Sequence, residues 1–259
     1  MLLLSINSMS SLTPTHIRGP PSATAWLTEW RRLVSAGTIT STATSDGKHL
    51  RFGIRLDGNG EPVEFCTNED TGEDSLPPGR TSNIGTFGNV ILRATRALRP
   101  PPVARLGSLP PHDEATCSFC TGPLRLEIRP MVAQAVLSSN RVWDVHYNIA
   151  PSEPGGHFLL VPEISIPSNR RQQKLLPSDC SDIIELGRAC EGELCFNYNS
   201  PNAGASQNHL HLHAWVVPTP YAVTTRPAAQ DSTVTLFDGA VEASVLDWPA
   251  ACVRVRGGT

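Results

Sequence analysis

Residues 207–217 read Gln207-Asn208-His209-Leu210-His211-Leu212-His213-Ala214-Trp215-Val216-Val217, an apolar run that contains three of the chain's eight histidines. Successive side chains of a β-strand point to opposite faces of the sheet. The pattern therefore predicts a strand that presents all three imidazoles on one face and buries Leu210, Leu212 and Ala214 on the other. Such a row of imidazoles can attack an electrophile, bind a metal ion or donate hydrogen bonds to an anion near neutral pH.

The loop before this strand consists of small residues. Residues 200–206 read Ser-Pro-Asn-Ala-Gly-Ala-Ser, and they follow a predicted strand over residues 194–199. Small residues such as Gly204 let backbone N–H groups approach an oxyanion closely, and the side chains of Ser206 and Gln207 add two donors. Loop and histidines together predict an anion-binding site.

Composition and charge narrow the classes of function. The chain has 259 residues, of which 39% are hydrophobic and 17% charged, which is typical of a globular protein with one large or two small domains. The formal net charge of -3 argues against sequence-independent nucleic-acid binding, which needs many lysines and arginines. A local site for a small anion is compatible with this charge.

The cysteine count and the hydropathy indicate a soluble protein of a reducing compartment. The seven cysteines are an odd number, and a chain of this length needs no disulfide framework. Residues 1–4 are apolar but lack the basic start of a signal peptide, and no run approaches the roughly 18 apolar residues that span a bilayer. We expect a cytoplasmic protein with no nucleic-acid or membrane partner, for which the sequence leaves a homodimer open.

The chain divides into four predicted regions. Residues 1–22 are rich in Ser, Thr and Pro and predict a mobile tail. Residues 23–114 predict an N-terminal helix, a β-rich extension and a Pro-rich connector. Residues 115–218 contain the histidine strand and predict the core that carries the anion site, and residues 219–259 predict an extension that packs on that core.

The elements of the N-terminal half follow from apolar spacing. A helical stripe of Trp26, Leu27, Trp30, Leu33 and Val34 predicts an amphipathic helix that ends near residue 37. The elements expected after it are strands over 38–44, 50–56 and 62–67 with a turn at 57–60, an acidic loop over 68–88, a strand over 89–97 and an extended connector over 99–112.

The second half predicts a buried sheet. Strands are expected over residues 141–149 and 157–163, a helix from residue 177 to about 192, and a closing hairpin over 234–237 and 241–245, with residues 246–255 covering the core. His157 lies at the start of a strand and is more typical of a hydrogen-bonded structural histidine than of a catalytic one. His146 stays undecided between these two roles.

A Cys-x-x-Cys turn is formed by Cys117 and Cys120. Such a turn lets two thiolates reach one tetrahedral zinc ion, so it predicts half of a zinc site. A thioredoxin-like redox role needs the pair to open a helix, and the Gly-Pro at residues 122–123 disfavours a helix there. Two structural cysteines without metal are the remaining alternative.

Several motifs resemble the histidine-triad (HIT) superfamily. They are Gly-Ala-Ser-Gln-Asn-His-Leu-His-Leu-His at residues 204–213, Asn-Ile-Ala-Pro at 148–151 and Gly-His-Phe-Leu-Leu-Val-Pro at 156–162. The Gly-Ala-Ser-Gln segment looks most like the branch of ATP adenylyltransferases, also called diadenosine tetraphosphate phosphorylases, and galactose-1-phosphate uridylyltransferases. The resemblance covers residues 115–218. It implies an α+β fold with a HIT-like antiparallel sheet and a packed helix, here extended by an N-terminal β-rich region.

The resemblance implies an enzyme that acts on the α-phosphate of a nucleotide. The substrate would be a nucleoside polyphosphate or a nucleotide-sugar. Among the catalytic histidines His209, His211 and His213, the middle one corresponds to the nucleophile, which forms a covalent nucleotidyl-histidine intermediate, and His213 would contact the phosphate or the leaving group. This agrees with nucleophilic catalysis, in which one difficult displacement is split into two.

The same resemblance assigns substrate-binding residues. Gly204, Ser206 and Gln207 would hold the phosphate oxygens. Asn148 falls where the family places a ribose-binding Asp or Asn, and Asn199 is the strand-end Asn before the loop.

The resemblance also implies a structural zinc ion. Zinc-bearing members use a Cys-x-x-Cys pair, a histidine shortly after the Val-Pro of the central strand, and the first triad histidine. Cys117, Cys120 and His209 match three of these ligands, whereas the remaining position falls near Ser165, where no histidine occurs. Either Glu163 or another group substitutes as the fourth ligand, or the site holds no zinc.

The acceptor and two further classes of function stay open. The last triad position is commonly Gln in the transferases and His in the hydrolases, so His213 leaves water, phosphate and a sugar phosphate as acceptors. The alternatives are a metal-dependent hydrolase with the histidine row as ligands and a non-catalytic nucleotide-binding module. The loop at residues 204–207 favours the nucleotidyl-transfer enzyme, because a metal site does not need such a loop.

Overall fold

The structure is a computed structural model that describes residues 17–45, 47–74, 111–122, 125–201, 205, 207–217, 225–237, 239–247 and 251–257. Its helices are α1 (Ala23–Ser35) and α2 (Pro177–Ala189), with single 3-10 turns at Leu126–Ile128 and Pro167–Asn169. Its strands are β1 (Ile17–Gly19), β2 (Thr40–Ser45), β3 (Lys48–Leu56), β4 (Pro62–Asn68), β5 (Met131–Val136), β6 (Val142–Tyr147), β7 (His157–Pro162), β8 (Leu194–Asn197), β9 (Leu212–Val216), β10 (Ala228–Leu236), β11 (Val241–Leu246) and β12 (Val253–Gly257).

A six-stranded sheet in the order β1-β5-β6-β7-β9-β8 carries the candidate site. All neighbours pair antiparallel except β1 and β5, which are parallel. The predicted α+β class is confirmed. Strands β6 and β7 lie inside the sheet and every residue of both is buried, as the continuous apolar run of residues 158–162 predicted.

Helix α1 packs on this sheet through its tryptophans. The Ser22 hydroxyl accepts a hydrogen bond from the Ala25 N–H and caps the first turn. Trp26 and Trp30 are buried edge-on against the Phe158 ring, at 6.0 and 5.7 Å between centroids, and the Trp30 indole donates to the Pro154 carbonyl. The predicted amphipathic helix is confirmed, and it shares one hydrophobic core with the strands of residues 115–218.

Helix α2 is fixed to the sheet by buried polar contacts as well as by Leu186. The Asp179 carboxylate accepts the Leu176 N–H at 2.7 Å, which caps the start of the helix, and it also accepts Arg141 at 2.7 Å. One turn later Asp182 accepts the Trp143 indole N–H at 2.7 Å. These carboxylates are satisfied inside the fold, so they serve packing.

The two faces of the sheet separate two clusters. On β7, Phe158 and Leu160 belong to the main core, whereas Leu159 and Val161 pack with the Cys-x-x-Cys turn in a second, smaller cluster. In the β7/β9 register His213 lies opposite Leu159. Because directly opposed residues share a face, His213 lies on the same face as the cysteine turn.

The N-terminal sheet β2-β3-β4 is an antiparallel meander, as predicted from residues 38–67. Ile39 and Ile54 join the main core, and Leu50, Phe52 and Cys66 form a small cluster of their own. The predicted acidic loop is described only up to residue 74. The predicted strand over 89–97 and most of the connector over 99–112 lie outside the described residues.

Two predictions about the sheet are wrong. Residues 17–19 were expected in a mobile tail, but they form β1, where Ile17 pairs with Ala133 and Arg18 donates to Gln134 at 2.9 Å. The strand expected over residues 207–217 begins only at Leu212. The N–H groups of Leu210 and His211 instead donate to the Arg171 carbonyl and to the Gln173 side chain. Strand β5 was not predicted.

The C-terminal sheet β10-β11-β12 is a compact unit. The hairpin expected over residues 234–245 is confirmed by the antiparallel pairing of Val234 with Ala243 and of Leu236 with Val241. Residues 253–257, for which no strand was predicted, pair antiparallel with β11.

The structure shows the state of the cysteines and the character of the helices. All seven cysteines are free. Neither α1 nor α2 is a candidate for crossing a membrane, and the other described residues contain no such helix.

The buried His146 on β6 should make the stability of the protein depend on pH. It is 1% exposed, and burial, together with the nearby Arg129 charge, lowers its pKa to about 3. An unfolded histidine titrates near 6.5, so below about pH 6.5 the unfolded chain binds a proton that the native chain does not. As the pH decreases below about 6.5, the free energy of unfolding should therefore decrease, and this residue contributes up to about 1.4 kcal/mol per pH unit.

We expect His146→Phe to reduce this acid-dependent loss. Urea unfolding of both proteins at pH 7, 6 and 5 measures it as the difference between the two slopes of unfolding free energy against pH. Equal slopes would show that His146 takes up its proton in the native state.

Candidate functional site

The leucines and the histidines of residues 209–214 lie on different sides of the chain, as the alternation of the sequence predicted. Leu210, Leu212 and Ala214 are at most 1% exposed and lie in the main core. The imidazoles of His211 and His213 contact each other at 5.2 Å between ring centroids. The histidines are thus excluded from the main core.

The first histidine lies in a cluster of four possible metal ligands. His209 Nδ1 is 3.5 Å from Cys117 Sγ and 3.4 Å from Cys120 Sγ, and His112 Nε2 is 3.7 Å from Cys120 Sγ. All four donor atoms lie within 4.8 Å of one another. Tetrahedral bonds of about 2.0 to 2.3 Å place donor atoms about 3.3 to 3.8 Å apart. The cluster could therefore hold a metal ion.

Burial controls the protonation of this cluster. Burial and the neighbouring Cys117 raise the pKa of Cys120 to about 12, so without a cation the sulfur keeps its proton. Burial, followed by the His112 and His211 charges, lowers the pKa of His209 to about 3, so its ring is neutral and has a lone pair for a ligand bond. A bound metal would replace the thiol proton.

The fourth donor is a residue that the sequence did not identify. The position near Ser165 supplies no ligand, because the Ser165 hydroxyl donates to Glu163 at 3.2 Å and neither residue joins the cluster. The group that completes it is His112, which precedes the cysteines. The available signal was its spacing, five residues before Cys117, but His112 was assigned to the Pro-rich connector.

The second histidine is held in one tautomer. His211 Nδ1 lies 2.7 Å from the carbonyl oxygen of His209, which can only accept, so Nδ1 carries the proton. The lone pair of the neutral ring is then on Nε2. The ring is 2% exposed and contacts the Phe119 ring at 5.3 Å between centroids.

The third histidine has the opposite tautomer. The Ser152 N–H donates to His157 Nδ1 at 2.8 Å, so a neutral His157 carries its proton on Nε2. That nitrogen lies 3.1 Å from His213 Nδ1, and the Asn148 amide nitrogen lies 3.3 Å from the same atom. His213 Nδ1 therefore accepts, and its proton is on Nε2. His157, expected to be structural, orients a triad histidine.

The predicted anion loop is described in part. Gly204 and Ser206 lie outside the described residues. Gln207 is 6% exposed, and its side-chain oxygen accepts the Ser118 N–H at 3.4 Å, which joins it to the cysteine turn. The Asn199 side chain accepts a hydrogen bond from Asn197, and its backbone carbonyl accepts one from Gln173.

Two further polar residues near the site were not anticipated. Gln173 is fully buried and bonds the His211 backbone, and no pattern in the sequence singles it out. Arg129 places its guanidinium 5.8 Å from the centre of the Phe119 ring. Among the described residues Arg129 forms no salt bridge, and burial lowers its pKa to about 10.

The fold and the site thus define an α+β protein with a buried His/Cys cluster that could hold a metal ion, beside a contacting pair of imidazoles. No protein-family model, curated protein or solved structure matches the chain. Its membership of the HIT superfamily stays a prediction from residues 115–218.

We predict that the two contacting imidazoles have opposite tautomers. At pH 8, long-range ¹H–¹⁵N NMR spectra should show a protonated Nδ1 for His211, because the His209 carbonyl can only accept. They should show a protonated Nε2 for His213, because its Nδ1 accepts from His157 and Asn148. Averaged nitrogen shifts for either ring would contradict the assigned hydrogen bonds. His157→Phe should disturb His213 and leave His211 unchanged.

Proposed function

We propose that the protein is a nucleotidyltransferase, phosphorylase or hydrolase that cleaves a nucleoside polyphosphate or nucleotide-sugar at the α-phosphate. The intermediate is a covalent nucleotidyl-histidine on His211. The observation that carries this proposal is the 2.7 Å contact between His211 Nδ1 and the His209 carbonyl, which leaves the Nε2 lone pair as the nucleophile.

His213 supplies the complementary group. Its proton is on Nε2, and its ring lies 5.2 Å from that of His211 between centroids. One ring therefore presents a lone pair and its neighbour an N–H donor. This is the pair that a displacement at phosphorus with an oxygen leaving group requires.

The reaction proceeds in two balanced steps. His211 Nε2 donates its electron pair to the α-phosphorus, and the bond from phosphorus to the leaving oxygen breaks with its electrons on that oxygen. His213 donates a hydrogen bond from Nε2 to this oxygen and keeps its proton, and the leaving group departs as an anion. In the second step the acceptor hydroxyl attacks phosphorus and releases its proton to water, and the electrons of the P–N bond return to His211 Nε2.

Substrate contacts follow from the remaining residues. Gly204, Ser206 and Gln207 bind the phosphate oxygens, and Asn199 supports the start of their loop. Asn148 accepts the Ala150 N–H through its side-chain oxygen, which has a second lone pair for a ribose hydroxyl. Arg129 adds a positive charge near Phe119 that favours an anionic substrate.

The proposed metal is zinc in a structural role. Two sulfur and two imidazole donors suit zinc, and a zinc ion held by all four would have no position left for water or substrate. Zinc would hold Cys117, Cys120 and His112 to His209. The alternative of a metal-dependent hydrolase is disfavoured, because His211 and His213 do not belong to the donor group.

We expect wild-type protein to form an acid-labile adduct when incubated with α-³²P-labelled ATP, diadenosine tetraphosphate or UDP-glucose. His211→Asn removes the nucleophile and should lower adduct formation and turnover at least about a thousandfold. Peptide mapping of the adduct locates it. The matched control is exposed His49→Asn, which should retain the wild-type rate.

Other outcomes select other functions. Normal turnover by His211→Asn together with loss of activity on chelation would replace the nucleophile by a catalytic metal. Nucleotide binding without turnover by either protein would indicate a binding module.

A second prediction tests the zinc site. His112→Gln should weaken zinc binding at least about a hundredfold, because loss of a direct ligand costs more than loss of an outer-shell partner. Competition with a chromophoric chelator measures the affinity. Ser165→Ala is the matched control and should bind as wild type does, and wild-type affinity in His112→Gln would exclude His112 as a ligand.

A further inference from the structure

The backbone of His211 lies where the sheet ladder ends. The pairing of β7 with β9 stops at Leu160 and Leu212, so the residues just before Leu212 have no strand partner in that ladder. Buried backbone N–H and C=O groups need other partners there, since an unpaired group costs about 1 to 3 kcal/mol. The loop after residue 170 supplies them.

The Gln173 side chain acts as a peptide group for His211. Its Oε1 accepts the His211 N–H at 2.8 Å, and its Nε2 donates to the His211 carbonyl at 3.1 Å. The same Nε2 donates to the Asn199 carbonyl at 2.9 Å. One amide therefore fixes both backbone groups of His211 and connects them to the residue before the predicted phosphate loop.

Gln173 is itself immobilised. It is 0% exposed, its N–H donates to the Asn208 side chain at 3.1 Å, and its carbonyl accepts the Tyr198 hydroxyl at 2.9 Å. In the same loop the Arg171 carbonyl accepts the Leu210 N–H at 2.8 Å. Every backbone and side-chain polar atom of Gln173 thus has a partner.

We infer that Gln173 is a positioning residue that aligns the His211 nucleophile with the substrate phosphate. The inference rests on the proposed function. With the backbone held by Gln173 and Nδ1 held by the His209 carbonyl, Nε2 has a fixed location before substrate arrives. Attack at phosphorus requires in-line geometry, and misplacement of a reacting atom by about 1 Å can cost about a hundredfold in rate.

Gln173→Met tests this role, because it keeps the length of the side chain and removes all three hydrogen bonds. Single-turnover adduct formation at saturating nucleotide should fall about 10- to 100-fold. Zinc content should stay as in wild type, because Gln173 contacts none of the four donor residues. The KM for nucleotide should change less than the rate does, because Gln173 reaches the phosphate loop only through the Asn199 carbonyl. Gln172→Met, one residue earlier, is the matched control and should react as wild type does.

The rates are compared at a temperature at which circular dichroism shows both variants folded. A wild-type rate per folded Gln173→Met molecule would overturn the inference. If this variant does not fold, Tyr198→Phe removes only the bond that holds the Gln173 carbonyl. It should slow adduct formation several-fold with unchanged KM, and an unchanged rate would again overturn the inference.

A spectroscopic readout separates this inference from the proposed function. If wild-type protein forms no adduct, the proposed chemistry fails, and the His211 ring is then followed by ¹H–¹⁵N NMR. A single protonated-Nδ1 signal in the wild type that becomes averaged or shifted in Gln173→Met supports positioning. An unchanged signal shows that Gln173 does not orient the ring.

Discussion

Burial of Leu210, Leu212 and Ala214 in the main core is the constraint on which the site depends. Each buried leucine contributes about 2 kcal/mol, and a one-residue slip of the strand would exchange the buried and outward faces. That slip would bury the imidazoles in apolar surroundings, where their polar nitrogens would lose partners. The apolar half of the segment therefore determines which face the histidines occupy.

The opposite face of the same sheet brings the distant parts of the site together. Leu159 and Val161 pack with Cys117 and Phe119, so the cysteine turn is placed over this face by apolar contacts. The Phe119 ring then contacts both His209 and His211, at 5.8 and 5.3 Å between centroids. Packing of a small cluster thus joins the Cys-x-x-Cys turn to the candidate nucleophile across about ninety residues of sequence.

Residue spacing along the sequence was sufficient to predict the elements that are determined by neighbouring residues. The stripe of α1, the N-terminal meander and the alternation of the triad follow from residue spacing, and the structure has all three. The spacing of His112 before Cys117 was too weak a signal to identify it, because its place in the cluster depends on packing against Cys120 and His209. Gln173 was not recognised because its hydrogen bonds to His211 are needed only where the β7/β9 ladder ends at Leu212. Strand β1 was not predicted because it forms by pairing with β5 and has no apolar pattern of its own.

The hydrogen bonds also explain why three similar histidines can have three roles. The ring of His209 belongs to the four-donor cluster, and its carbonyl accepts a hydrogen bond from His211 Nδ1. One residue therefore contributes to the cluster and also fixes the tautomer of His211. His213 takes its tautomer from a separate source, since His157 and Asn148 both face its Nδ1. Opposite tautomers on adjacent rings therefore arise from two independent partner sets, and a change to one set leaves the other in place.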